Sequence, residues 1–401
     1  ADGLADALRQ ILLHPEYADE LRALAAEGER LLSAVHRPDG TEADAAEVSA
    51  WAARTFPGAI PLHTHDAPIQ LWLELGLPGA ALAAGVMSLG ADVLFIGPLP
   101  TPGVAYLTRA RRADLGVVIS ASHNPYYDNG IKFFDADGGK LTDEAEERIE
   151  AELANGATTV ESGRLGRAVR VDKTRKAYQD FCCATFPAGK SLKGMKIVID
   201  CAHGAGYKVA PRILTDLGAE IVPIGCSPTG RNINEGCGST SPELLQLTVP
   251  GVKAQVGIAL DGDGDRLVMV DHLGRKVDGD QLLYVIALAK HAAGTLRGPV
   301  VGTLMTNFGL ERALRDKGIG FERAAVGDRY VLAKLRETGG VLGGETSGHL
   351  LTLDQTTTGD AMIAALQVLG VMCDTGKSLA ELTAGLQLLP QVMINVRVKE
   401  R

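Results

Sequence analysis

From about Gly79 onward the chain alternates two patterns of apolar positions. Short apolar runs of four to six residues are separated by longer stretches in which apolar residues recur every three or four positions. The first pattern is that of buried strands and the second that of amphipathic helices. Residues 91–97 and 116–120 predict strands around a helix at 104–111, and residues 80–87 predict a helix before them. Residues 130–134 predict a hairpin arm with Asp137-Gly138-Gly139 as its turn. Strands at 195–200 and 220–225 flank a helix at 209–217. Strands at 256–260 and 267–270 bracket a polar loop, and a helix at 281–291 leads into a strand at 299–303. Such repetition predicts a multidomain α/β protein with mixed or parallel sheets whose faces are covered.

Residues 1–78 do not share the pattern. Leu4, Leu8, Ile11 and Leu12, then Leu21, Leu24, Ala25, Leu31, Leu32 and Val35, fall on helical faces broken at His14-Pro15. They predict an atypical, mostly helical segment. Residues 143–190 are charged and mostly of helical period, which predicts a domain junction. The expected divisions are 1–78, 79–155 as a partial first domain, 156–252, 253–375, and 376–401 as a linker and the start of another domain.

The polar loop between 256–260 and 267–270 is the strongest candidate for chemistry. Asp261, Asp263 and Asp265 stand at i, i+2 and i+4, separated by glycines. Three like charges within five residues repel, so a cation is expected between them, and hard oxygen ligands suit Mg²⁺ or Ca²⁺. A calcium-binding helix–loop–helix would need Gly at loop position six and Glu at position twelve. Arg266 and His272 stand there instead. A cation beside Arg266 is equipment for holding a phosphate. Three further loops carry candidates. Ser122 and His123 follow the strand at 116–120, and Lys132 lies on the hairpin arm. Asp328 and Arg329 lie in a loop at 326–330. Glu345, Ser347 and His349 alternate with small residues, so an extended backbone would put them on one face.

Composition narrows the partners. A net charge of −9 argues against nucleic acid or an anionic membrane surface as partner, and 46% apolar with 22% charged residues is ordinary for a globular protein. The six cysteines show no zinc spacing, which predicts buried free thiols in a reducing compartment. No stretch has the length and apolarity of a membrane span or a signal peptide, so a cytoplasmic location is expected.

Taken in order, Ser120-Ala121-Ser122-His123-Asn124-Pro125, Asp261 through Arg266, and Gly344-Glu345-Thr346-Ser347-Gly348-His349 resemble the motifs of the α-D-phosphohexomutase superfamily. The surrounding segments at 127–134 and 326–331 are most similar to the bacterial phosphoglucosamine mutase family. The resemblance covers residues 79–401. It implies α/β domains around a central cleft, and an enzyme interconverting glucosamine 6-phosphate and glucosamine 1-phosphate through a phosphoserine and a bisphosphate sugar. It implies that Ser122 carries the phosphoryl group, and that Ser122, Asp261, Asp263 and Asp265 hold Mg²⁺. It further implies that His123, Lys132 and Arg266 neutralise charge or move protons, and that Glu345, Ser347, His349, Asp328 and Arg329 bind substrate. The partner is then a small hexose or hexosamine phosphate, and the protein a monomer or homodimer. The family's Gly-Thr-Asp-Gly-Ile-Arg-Gly-type segment is not found in residues 1–78. Its Arg-x-Ser-Gly-Thr-Glu-Pro-type phosphate clamp is not found before Arg401, and residues 393–398 would begin the domain that carries it. A phosphomannomutase or phosphoglucomutase, or a catalytically impaired sugar-phosphate-binding and Mg²⁺-binding remnant, are the alternatives.

Overall fold

The computed structural model describes residues 79–152 and 159–392. The expected helices within 4–36 and the expected strand at 393–398 lie outside them. The described chain forms two units. In one, comprising residues 79–97 and 141–172, a helix at 79–88 precedes the strand Val93–Phe95, which pairs in parallel with Ala168–Arg170. The helix Asp143–Glu152 belongs to the same unit. The strand at 168–170 was not predicted; three residues inside a charged stretch give no alternation to read.

The other unit comprises residues 98–140 and 173–392 and carries every candidate site residue. It opens with helix α1 (Thr101–Ala110), strand β1 (Leu115–Ser120) and strand β2 (Gly130–Asp135). β1 and β2 pair antiparallel in register from Leu115↔Asp135 to Ser120↔Gly130. The expected turn is present, because Phe134 bridges Lys140 across Asp137-Gly138. The strand carrying Ser122 at its exit was expected to be buried in a parallel sheet. Among the described residues it instead pairs with β2 alone, and only Gly116 and Val118 are buried along it.

A five-stranded mixed sheet follows. Its elements are α2 (Thr174–Thr185), β3 (Lys196–Asp200), α3 (Val209–Asp216), β4 (Glu220–Ile224), α4 (Glu243–Gly251), β5 (Val256–Leu260), β6 (Leu267–Asp271) and β7 (Lys276–Val277). The strand order is β4-β3-β5-β6-β7, with β4, β3 and β5 parallel and β6 and β7 antiparallel additions. All five residues of β5 and of β6 are buried, as apolar runs covered on both faces require. Leu245 and Val249 of α4 pack on Val198, Ala259, Val268 and Val270.

The remaining elements are α5 (Gly279–Ala292), β8 (Val300–Thr303), α6 (Phe308–Arg315), β9 (Phe321–Ala324), α7 (Asp328–Thr338), β10 (Leu342–Gly344), β11 (Leu350–Thr352), α8 (Ala361–Thr375) and α9 (Leu379–Thr383). The second sheet has the order β9-β8-β10-β11, parallel except for β11. α5 starts two residues before the expected helix, because Asp278 and Gln281 form a reciprocal capping box ahead of it. α8 buries residues around its whole circumference, so it is an interior helix. Cys182, Cys201 and Cys237 are buried free thiols, but Cys183, Cys226 and Cys373 are only half-buried.

Asp360 caps α8 by accepting the Ile363 N–H, and its other oxygen accepts the Tyr178 hydroxyl at 2.8 Å. Burial pushes its carboxyl up to about 6 from 3.8. The folded chain therefore holds this proton to higher pH than the unfolded chain does. Stability falls as pH rises through that window and is flat above it. The shift of about two pH units is worth about 3 kcal/mol. Asp360→Asn should remove this part of the slope, read as the difference in melting temperature between variant and wild type from pH 4 to 7. A difference that does not change with pH would refute the assignment.

Candidate active site

The acidic loop is shaped by its glycines. Gly264 has φ +74°, open to glycine at little cost. A Cβ on Gly262 would lie 2.5 Å from the Ser122 carbonyl oxygen, so only glycine allows the serine loop to approach this closely. The carboxylates of Asp261, Asp263 and Asp265 converge, each offering an oxygen within 4.8 Å of the others, and all three residues are buried.

Each carboxylate has one oxygen engaged and one free. Asp261 Oδ1 accepts the Asp265 and Arg266 N–H groups at 3.1 and 3.0 Å. Asp263 Oδ2 accepts the Thr101 hydroxyl and the Lys132 ammonium, both at 2.6 Å. Asp265 Oδ2 accepts Lys132 at 3.0 Å. That leaves Asp261 Oδ2, Asp263 Oδ1 and Asp265 Oδ1 buried without a hydrogen-bond partner. Buried, unpaired carboxylate oxygens are costly, and three of them together fit a hard cation. The residues present therefore suit the divalent ion that the acidic spacing implied.

The charges respond accordingly. Burial, then repulsion from Asp265 and Asp263, pushes the Asp261 carboxyl well up. Burial alone would also raise Asp265, but the His349 imidazole and the Lys132 ammonium outweigh it and hold it well below the usual range. For Lys132 the order is similar: burial works against the charge, yet Asp265 and Asp263 raise its pKa.

Ser122 follows β1 in a left-handed conformation with φ +54°. Its N–H donates to Ser120 Oγ at 2.9 Å, and its own Oγ lies 3.5 Å from both Lys132 Nζ and His123 Nδ1. Adjacent residues on a strand would point apart; the left-handed turn lets Ser122 and His123 approach. Burial and the Arg266 charge lower the pKa of His123, against the pull of Asp265 and Asp263. The imidazole is then neutral near pH 7 and able to accept a proton.

The loop carrying Glu345 departs from expectation. It is not extended. Gly348 N–H bonds back to Glu345 O at 2.9 Å, closing a turn that keeps Glu345 and Ser347 together and sends His349 elsewhere. Glu345 accepts the Gly327 N–H at 3.0 Å and lies 3.3 Å from the exposed Ser347 hydroxyl. His349 points inward. Its Nδ1 is 3.7 Å from Asp265 Oδ1 and its Nε2 3.3 Å from Asp328 Oδ2. Asp328 also pairs with Lys140 and is lowered by His349 and Lys140 against its burial. Arg329 is exposed. Thr101, Lys140 and Asn234 join the site without having been singled out in the sequence. Lys132 bridges the two halves of it, from β2 to the acidic loop.

A hydroxyl beside an ammonium and a neutral imidazole, with an acidic loop whose free oxygens suit a cation, is the equipment of phosphoryl transfer on α/β domains. Family models of phosphoglucomutase/phosphomannomutase α/β/α domains I, II and III match residues 79–159, 176–274 and 278–388. Phosphoglucosamine mutase of Photorhabdus laumondii is 58% identical over 318 residues, which span 79% of this chain and 72% of the relative. That of Legionella pneumophila is 55% identical over the same share of this chain and 70% of the relative. Among solved structures, a phosphoglucomutase/phosphomannomutase family protein from Burkholderia thailandensis superimposes with a TM-score of 0.68 at 27% identity, over 78% of this chain and 69% of that one. Aspergillus fumigatus N-acetylphosphoglucosamine mutase, in complex with GlcNAc-6P and magnesium, shares the fold with a TM-score of 0.58 at 20% identity, over 75% of this chain and 79% of that one. The chain belongs to the phosphoglucosamine mutase family. No helix among the described residues is long and apolar enough to cross a membrane.

Proposed function

We propose that Ser122 carries the phosphoryl group by which this mutase interconverts glucosamine 6-phosphate and glucosamine 1-phosphate. The observation that carries the reading is the meeting of Ser122 Oγ, Lys132 and three aspartates that each leave one oxygen free. Asp261, Asp263 and Asp265, with the phosphoserine, would hold Mg²⁺. When bound, that ion supplies charge neutralisation at the transferring phosphoryl group. In the forward step the bond from phosphorus to Ser122 Oγ breaks as one forms to a substrate hydroxyl oxygen. The hydroxyl proton goes to His123, which is neutral and borders Ser122, and passes from it to Ser122 Oγ as that oxygen leaves phosphorus. The bisphosphate sugar reorients, its other phosphoryl group returns to Ser122, and the Ser122 proton passes back through His123 to the product hydroxyl. Lys132 keeps its charge throughout and acts on developing negative charge, with Arg266 as a second cation. Glu345, Ser347 and Arg329 would meet sugar hydroxyls and phosphate, while Asp328 and His349 would hold the acidic loop against that substrate face.

Intact-mass analysis with site mapping should find phosphate on Ser122. A coupled assay should show higher kcat/KM for glucosamine 6-phosphate than for the glucose and mannose 6-phosphates. Stoichiometric phosphate on another serine, or preference for a neutral hexose phosphate, would overturn this reading.

A further inference from the structure

The Ser122 backbone sits in a conformation that serine does not favour, and something must keep it there. Left-handed non-glycine residues cost on the order of 1–3 kcal/mol, and persist where the surroundings over-determine them. Four of them gather here: Ser122, Ala202, His203 and Asn234, with φ of 54°, 53°, 49° and 59°. Asn234 connects them. Its backbone N–H donates to Ala202 O at 2.9 Å. Its side-chain Nδ2 donates to two carbonyls of the serine loop, Ser122 O and Asn124 O, each at 2.8 Å. Two acceptors fix which end of the amide faces the loop, so the nitrogen must point there and Oδ1 is left buried without a partner. Leaving an acceptor unpaired is a cost that the double grip has to offset.

The grip restrains the nucleophile from one side only. On the other side the Ser122 carbonyl lies against Gly262, where a Cβ would stand 2.5 Å from the oxygen. The N–H is tied to Ser120 Oγ. With both backbone groups of Ser122 engaged, the remaining freedom is rotation of the side chain, whose Oγ faces Lys132 and His123.

We propose that Asn234 is a positioning residue for phosphoryl transfer, clamping the carbonyls of Ser122 and Asn124 so that the Ser122 hydroxyl is held toward the acidic loop. This rests on the reading of Ser122 as phosphoryl carrier. Asn234 reaches no reacting atom; it acts through the backbone of the residue that does. Its loss should therefore lower kcat while leaving KM for the sugar phosphate little changed.

Two variants separate the clamp from general folding. Asn234→Gly removes the side chain but keeps a residue at ease with positive φ. Asn234→Asp keeps size and backbone preference but turns the donor into a carboxylate facing two carbonyl oxygens. Both should lower kcat by roughly tenfold to a hundredfold, the loss that misplacing a nucleophile by about an ångström brings. Both should change KM by less than about threefold, and both should speed amide exchange in residues 121–124. Asn234→Gln, whose amide is one methylene longer, should recover part of kcat. Wild-type kcat in Asn234→Gly, or a kcat loss matched by an equal rise in KM with unchanged exchange at 121–124, would overturn the proposal. Ser122→Ala is assayed alongside: if it still turns over, the phosphoserine reading itself has failed, whatever Asn234 does.

Discussion

Asp263→Asn is expected to lower phosphoryl transfer by a factor on the order of a thousand or more and to abolish stabilisation by Mg²⁺, without destabilising the metal-free chain. The geometry explains why an uncharged residue of the same shape is so damaging. Asp263 Oδ2 accepts from Thr101 and Lys132, both at 2.6 Å, while Oδ1 is free among the other carboxylates. An asparagine has one oxygen. It satisfies Thr101 and Lys132 only by placing that oxygen on them, which turns its NH₂ toward Asp261 Oδ2 and Asp265 Oδ1. A ligand becomes a pair of donors pointing into the cation's place. Those donors also quiet two unpaired carboxylate oxygens, so melting without metal should be unchanged or slightly higher. For the wild type, Mg²⁺ at a hundredfold above its Kd should add about 2.7 kcal/mol by mass action. Thermal melts across a Mg²⁺ titration, with single-turnover phosphoryl transfer, test both arms. Superimposable titrations for wild type and variant would remove the acidic loop as a metal site.

The sequence made this loop legible because all its determinants are local: carboxylates at alternate positions, glycines between them, and an apolar strand on each side. The hairpin around Lys132 was readable for the same reason. What stayed hidden was set by distant residues. Thr101 reaches Asp263 across 162 positions and Asn234 reaches Ser122 across 112. No periodicity encodes such contacts, since only the packing of the sheets brings the loops together. The one local sign of Asn234 was its residue type, a left-handed-tolerant Asn before Glu235-Gly236, which reads as an ordinary turn. The loop at 345–349 failed in the opposite way. Alternation with small residues suggested an extended segment, but the Gly348-to-Glu345 hydrogen bond closes a turn, and the His349 ring then lies between Asp265 and Asp328, at 3.7 and 3.3 Å. Alternation is evidence of a strand only where a partner strand continues on both sides, and here strand pairing stops at Gly344 and resumes at the isolated His349–Arg266 bridge just before β11.

Lys132→Met separates the two jobs of this ammonium. Without metal, Lys132 is the cation that bridges Asp263 and Asp265 inside the acidic loop. An isosteric apolar side chain leaves buried carboxylates facing one another, and breaking a buried pair in this way costs about 3–5 kcal/mol. The sign with pH follows from the two partners. The folded-state pKa of Lys132 is raised, so its contribution is complete at and below its ordinary value of 10.5 and is lost only as pH climbs through the raised value. The folded-state pKa of Asp265 is depressed, so its contribution is complete above 3.8 and is lost as pH falls through the lowered value. The destabilisation should therefore be nearly constant from about pH 7 to pH 9 and shrink at lower pH, as the buried carboxylates that have lost the ammonium take up protons. Saturating Mg²⁺ should recover most of it, because a dication among the three free oxygens neutralises the charge that the ammonium no longer does. Turnover should not recover, since Lys132 also stands 3.5 Å from Ser122 Oγ and the metal cannot reproduce a cation at that place. The decisive comparison is melting with and without Mg²⁺ beside kcat at saturating Mg²⁺. A variant as stable as the wild type without metal would show that the pair contributes nothing to the fold. Full turnover with metal would show that Lys132 takes no part in the transfer.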